Sequence, residues 1–204
     1  MYDDYHDKRL GIDTGGYREW LDEPEYYRTE STPYRALQEL ASFFPLDKER
    51  RVLDLGCGRG RVSFFLHDSF GVNVTGIELQ LATYNELKLN EENYLYKKDL
   101  KKTPFNFLWT SVEDYLPEDE DIFYFFNPFS VKIFRKVLSN IEESLKKNDR
   151  EAFIILYYPF VDYKYYLEKN TSFERVLRVP LAWEDDEREV FLIYRHLPEY
   201  GHKK

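Results

Sequence analysis

Three short stretches hold the residues whose types and spacing could do chemistry. In Val52 to Val62, VLDLGCGRGRV, an apolar run carries Asp54 and passes into a turn with glycine at 56, 58 and 60. Glycine reaches backbone angles closed to other residues and lets a ligand lie against the main chain. In Val72 to Leu79, VNVTGIEL, alternating apolar residues end in Glu78, and in Ile122 to Ser130, IFYFFNPFS, an almost wholly apolar run ends in Asn127, Pro128 and Phe129. A carboxylate can accept two O–H bonds at once, and an asparagine amide oxygen can accept a bond from a nitrogen that still carries a proton. Such a set could hold a hydroxyl-bearing ligand against a glycine turn and present a nitrogen to it.

Bringing these stretches together takes a parallel sheet. From Arg51 the pattern predicts strands at Val52–Leu55, Val72–Ile77, Phe105–Trp109, Ile122–Phe126 and Ala152–Tyr157, with helices at Arg61–Phe70, Gln80–Tyr94 and Val131–Lys147 between them. Alternation of this kind is α/β, and right-handed crossovers put every strand's carboxyl end on one rim, where ligands bind. After Pro159 a short helix, Asp162–Lys169, precedes strands near Phe173–Val179 and Val190–Arg195, which should pair antiparallel across the acidic turn Glu184–Glu187. Upstream, Thr32 is expected to cap a helix with Pro33 at its first position, an apolar stripe of Leu37, Leu40, Ala41 and Phe44, and its end at Pro45. Residues 1–30 are charged and tyrosine-rich, with Gly15 and Gly16 breaking any long helix, and read as a partly ordered arm over the core. Residues 31–204 read as one domain.

The dinucleotide fingerprint GxGxxG would need glycine where Arg61 stands, so a nicotinamide oxidoreductase is disfavoured. The stretch DLGCGRGR instead resembles motif I of the class I S-adenosylmethionine-dependent methyltransferases, and together with GIEL and FFNPFS it resembles a little-described bacterial group of them, from about Thr32 to Arg195. The resemblance implies a Rossmann-like, seven-stranded, mostly parallel sheet with an antiparallel carboxyl-terminal hairpin and helices on both faces. It implies S-adenosyl-L-methionine as cofactor, S-adenosyl-L-homocysteine as product, and no metal. Asp54 would then position the methionine part, with Gly56, Cys57 and Gly58 forming the turn beneath it. Glu78 would chelate the ribose hydroxyls beside Leu79.

The adenine would be met by Ser111, Val112 and Glu113. Many enzymes of the class carry an aspartate there, and this chain has Ser111. Ser111 could accept the adenine amino group, Glu113 could take over, or Glu113 and Asp114 could simply open a short helix. FFNPFS resembles motif IV, the Asn-Pro-Pro-aromatic sequence that holds a target nitrogen, with one proline missing. On that resemblance Asn127, Pro128 and Phe129 are the catalytic set, Asn127 also bordering the cofactor; the alternative is an Asn-Pro turn that ends a strand. Thr32 and Tyr34, before the sheet, and Tyr157 and Tyr158, at a strand end, are candidates to touch substrate, with capping and core packing as the competing uses.

The formal net charge of −9 opposes nonspecific attraction to nucleic acid or an anionic membrane, and favours a basic partner. The expected reaction is N-methylation of an amine on a protein or small molecule. RNA or DNA base methylation and noncatalytic cofactor or partner binding are the alternatives. The basic run Lys97, Lys98, Lys101 and Lys102 is local and reads as a solvated connection. Cys57 is the only cysteine, which rules out an intramolecular disulfide and fits a reducing cytoplasm. His6, His67, His196 and His202 lack metal-ligand spacing, and no stretch is apolar over a membrane-spanning length. A monomer or a homodimer is expected.

Overall fold

The computed structural model describes residues 2–19, 24–181, 183 and 186–198. In chain order the elements are α1 (Tyr2–Leu10), α2 (Tyr34–Phe43), β1 (Arg51–Leu55), α3 (Arg61–Phe70), β2 (Asn73–Glu78), α4 (Leu81–Lys97), β3 (Phe105–Trp109), β4 (Ile122–Phe125), α5 (Val131–Lys147), β5 (Ala152–Tyr157), α6 (Val161–Asn170), β6 (Glu174–Pro180) and β7 (Val190–His196). The strands form one seven-stranded sheet in the order β3-β2-β1-β4-β5-β7-β6. β1 to β5 run parallel, while β7 is antiparallel to both β5 and β6.

Period-two alternation sorts the core onto two faces. Val52, Tyr124, Ile155 and Ile193 pack with Leu37, Phe64, Leu87 and Tyr94 of α2, α3 and α4. Their neighbours Leu53, Phe123, Ile154 and Leu192 pack with Phe134, Ile141 and Leu167 of α5 and α6. Central strands covered on both faces must be apolar throughout, which is why β4 and β5 contain only buried residues. In α5 the residues Ile133, Phe134, Val137, Leu138, Ile141 and Leu145 recur at helical spacing and are all buried. Strand order reverses between β1 and β4, so the crevice beyond their carboxyl ends is the topological switch point of the sheet.

The structure differs from the sequence reading before the sheet. Residues 1–30 hold a helix, α1, whose Leu10 is fully buried. Thr32 does not cap α2; its hydroxyl is 2.7 Å from that of Tyr124, and Pro33 flanks a helix that begins at Tyr34 and ends at Phe43 rather than Pro45. Glu184 and Asp185 of the acidic turn lie outside the described residues, as does His202. Among the described residues no helix is long and apolar enough to cross a membrane.

Candidate active site

The turn from β1 into α3 forms the floor of a pocket at the switch point. Gly56 and Cys57 N–H both donate to the Ile77 carbonyl, at 3.0 and 2.9 Å, which clamps the turn to the end of β2. Gly56 sits at φ +75°, and a Cβ there would lie 2.5 Å from Cβ of Pro128. Only glycine lets the turn and the Asn-Pro-Phe segment touch.

Two carboxylates face this pocket, both buried. Asp54 accepts from the Ser63 hydroxyl at 2.7 Å, and burial pushes its pKa up to about 7. Glu78 accepts from the Gly58 and Gln80 N–H groups at 3.1 and 2.7 Å, and burial likewise raises it to about 7. Neither acid is paired with a cationic side chain among the described residues. Cys57, Leu79 and Val112 complete the wall, and burial pushes the pKa of the Cys57 thiol well up. Pro128 and Phe129 close the β4 side.

Residues 26–32 form the opposite wall. Tyr27 N–H donates to the Pro128 carbonyl at 3.1 Å, Ser130 N–H donates to the Glu25 carbonyl at 2.7 Å, and Tyr26 bridges Phe129. The arm is tied down further back by the buried Arg61 side chain. Its guanidinium donates to Thr14 Oγ1 at 2.7 Å and Asp3 at 2.6 Å, lies 3.7 Å from Asp7, and sits over the Tyr34 ring. Tyr34 is fully buried and donates to Asp7 at 2.6 Å, so it belongs to this anchor and does not reach the pocket. Thr32 does reach it.

The remaining candidates separate. Asn127 adopts φ +41°, donates to the Tyr158 carbonyl and accepts from Phe160 N–H at 3.3 Å. Its side chain lines a second cleft with Tyr27, Arg28, Glu30, Phe126, Tyr158, Phe160 and Glu189. Tyr27, Arg28, Glu30 and Phe126 line both spaces, so the two clefts share a wall. Phe126, which sequence reasoning left as an ordinary strand residue, stands at this junction. Tyr158 is in the second cleft, but Tyr157 is buried, stacked on Phe191, and donates to Glu189. Ser111 and Glu113 lie off the pocket. The Ser111 hydroxyl accepts from Glu113 N–H at 3.2 Å, Glu113 faces Lys136 at 3.6 Å, and residues 112–114 form a turn rather than the helix start weighed above.

Lys97 to Lys102 precede β3, whose first residue pairs with Val74 near the start of β2, so the basic run is on the rim opposite the pocket. Among the described residues no group of three His, Cys, Asp or Glu side chains could hold a metal.

Comparison with protein-family models finds no match, and comparison with curated protein sequences finds none. Solved structures do match. One is yhhF from Escherichia coli, described as a methyltransferase, at 14% identity and TM-score 0.60, covering 90% of this chain and all of that one (100%). Another is an RNA methyltransferase from Salinibacter ruber in complex with S-adenosyl-L-homocysteine, at 15% identity and TM-score 0.53, covering 86% and 98%. A third is a mutant of MtNAS in complex with S-adenosylmethionine, at 16% identity and TM-score 0.58, covering 81% of this chain and 62% of that one. The chain therefore has the Rossmann-like fold of the class I S-adenosylmethionine-dependent methyltransferases.

Proposed function

We propose that the protein is an S-adenosylmethionine-dependent methyltransferase that acts on the nitrogen of an amine. The observation that carries this reading is the pair of buried, unneutralised carboxylates, Asp54 and Glu78, facing one pocket at the switch point of this fold. A cationic ligand with an ammonium group and two adjacent ribose hydroxyls fits them. Asp54 would hold the ammonium of the methionine part, and Glu78 the ribose, with Leu79 and Val112 on the apolar walls and Gly56, Cys57 and Gly58 beneath. When bound, the cofactor supplies a sulfonium methyl group for in-line displacement.

The protein's own share is orientation and desolvation. Residues 26–32 wall one side of the pocket, Pro128 and Phe129 close its β4 side, and Asn127 keeps an oxygen lone pair for an incoming N–H beyond the bond to Phe160.

An amine acceptor is favoured over a nucleic acid by charge. Around the rim Arg28 pairs with Glu30, Lys132 with Glu25 and Arg188 with Asp186, while Arg18 and Arg59 share the one carboxylate of Glu86. A phosphate backbone needs a basic track, and the lysine run is at the other rim. Base methylation is the second reading, supported by the fold likeness to an RNA methyltransferase.

Calorimetric titration of S-adenosylmethionine and S-adenosylhomocysteine into wild type and Glu78→Ala tests the cofactor assignment. Saturable binding, weakened about tenfold or more by loss of a charge-assisted acceptor, is expected. Absence of binding to the wild type would end the enzyme reading and leave the fold.

A further inference from the structure

Thr32 and Tyr124 bring two hydroxyl groups to the wall of the cofactor pocket, and each residue is only 1% exposed. Their oxygens are 2.7 Å apart, and either can be the donor. That bond uses one of the two hydroxyl protons. Among the described residues no acceptor takes the other. A buried hydroxyl proton without an acceptor is costly, and the pocket that both residues line is where one can enter. Burial pushes the Tyr124 pKa well above its ordinary value, so the phenol keeps its proton.

The pair borders the acid assigned to the ammonium of the ligand. Tyr124 of β4 is the register partner of Asp54 of β1 on the neighbouring parallel strand. The alternation that puts Val52 and Tyr124 on one face of the sheet puts Asp54 there too. In an amino acid the ammonium and the carboxylate share one carbon, so a tail held by Asp54 brings its carboxylate in beside that acid. Asp54 and Glu78 already make the pocket negative, and a third carboxylate is disfavoured there unless a donor meets it. Both guanidiniums of the wall are paired with acids of the arm: Arg28 donates twice to Glu30, at 3.1 and 2.9 Å, and Arg61 donates to Asp3 at 2.6 Å. The Ser31 hydroxyl donates to the Thr14 carbonyl at 2.8 Å.

We infer that the Thr32–Tyr124 hydroxyl pair receives the amino-acid carboxylate of the cofactor, giving its spare proton to one carboxylate oxygen. The inference rests on the methyltransferase reading above. It makes the pair a specificity determinant, selecting an α-amino-acid tail over a plain alkylamine tail. Thr32 comes from the segment before the sheet and Tyr124 from the sheet itself, so the carboxylate is held where the two meet.

The test titrates S-adenosylmethionine and its decarboxylated form, which keeps the ammonium, into wild type and into the double variant Thr32→Val/Tyr124→Phe. Removing both hydroxyls together leaves no orphaned partner. Wild type should prefer S-adenosylmethionine. In the double variant its affinity should fall about tenfold or more, the loss of one charge-assisted hydrogen bond, while the decarboxylated ligand binds as before. Unchanged binding of that second ligand also shows that the variant is folded. A wild type without preference for the carboxylate, a preference that survives the double substitution, or an equal loss of both ligands would overturn the inference and leave the methyltransferase reading standing. Absence of binding of either ligand to the wild type would instead remove that reading, and the inference with it.

Discussion

Replacing Glu78 with glutamine removes one titration and little else. Burial raises this carboxyl from 4.5 to about 7 in the ligand-free fold. At about 1.4 kcal/mol per pKa unit, charging it inside the native protein costs about 3 kcal/mol more than in the unfolded chain. The sign follows from proton counts. Below about pH 4.5 both states hold the proton; between 4.5 and 7 only the native state does, so stability falls as pH rises; above 7 both are ionised and the loss is complete. The glutamine amide oxygen keeps one of the two backbone donors, Gly58 and Gln80 N–H, and its NH2 opposes the other. That offset does not depend on pH. Denaturant unfolding of ligand-free wild type and Glu78→Gln at pH 5 and pH 8 should therefore show the wild type losing about 2.5 kcal/mol relative to the variant over that interval. A stability difference that stays constant from pH 5 to pH 8 would refute the claim that this carboxylate is buried uncompensated.

Two further substitutions probe the pocket walls. Gly56→Ala and Gly16→Ala both place a side chain at positive φ, +75° and +74°, but only at Gly56 would the new Cβ meet Pro128, whereas Gly16 has nothing within 4 Å. Gly16→Ala should cost about 1–2 kcal/mol and Gly56→Ala about 1–3 kcal/mol more, by thermal denaturation, and equal losses would show that the turn and the Asn-Pro-Phe segment are not in tight contact. Arg61→Leu leaves the Asp7 carboxylate buried without its cation, and should cost about 3–5 kcal/mol and speed proteolytic cleavage after Arg18 or Arg28; arm cleavage as slow as in the wild type would show that another contact holds it.

The sheet was legible because its central strands are covered on both faces and must be apolar, and because α5 carries an uninterrupted stripe. Asp54, the glycine turn and Glu78 were legible for a related reason: each lies at or just beyond a strand's carboxyl end, and a parallel sheet gathers those ends on one rim. The arm was not. Helix α1 reads YDDYHDKRL and buries His6 and Asp7 alongside Leu10, so no apolar period announces it, and its partner Arg61 is remote in sequence. The direction of the Asn127 side chain depends on a left-handed backbone that Asn tolerates but does not dictate. Tyr157 and Tyr158 are adjacent and alike in type, yet strand parity sends the first into the core and the turn after β5 leaves the second in the cleft. Ser111 sits in a turn whose hydrogen bonds it supplies itself, with its hydroxyl 3.4 Å from that of Tyr26 in the pocket wall.

The Arg61 anchor also bears on how the protein forms. Helix α1 has nine residues, too few to persist alone in water. Its acidic groups meet their counter-charge only after the chain has been made through residue 61. During synthesis the segment that walls the pocket must therefore wait, unfolded, for the first strand and turn of the sheet. The entropy of closing that long loop is met by one guanidinium and the residues around it. Anchoring of the arm is in this way coupled to the first β-α unit, while the pocket it walls is complete only once Glu78, Val112 and Pro128 are in place.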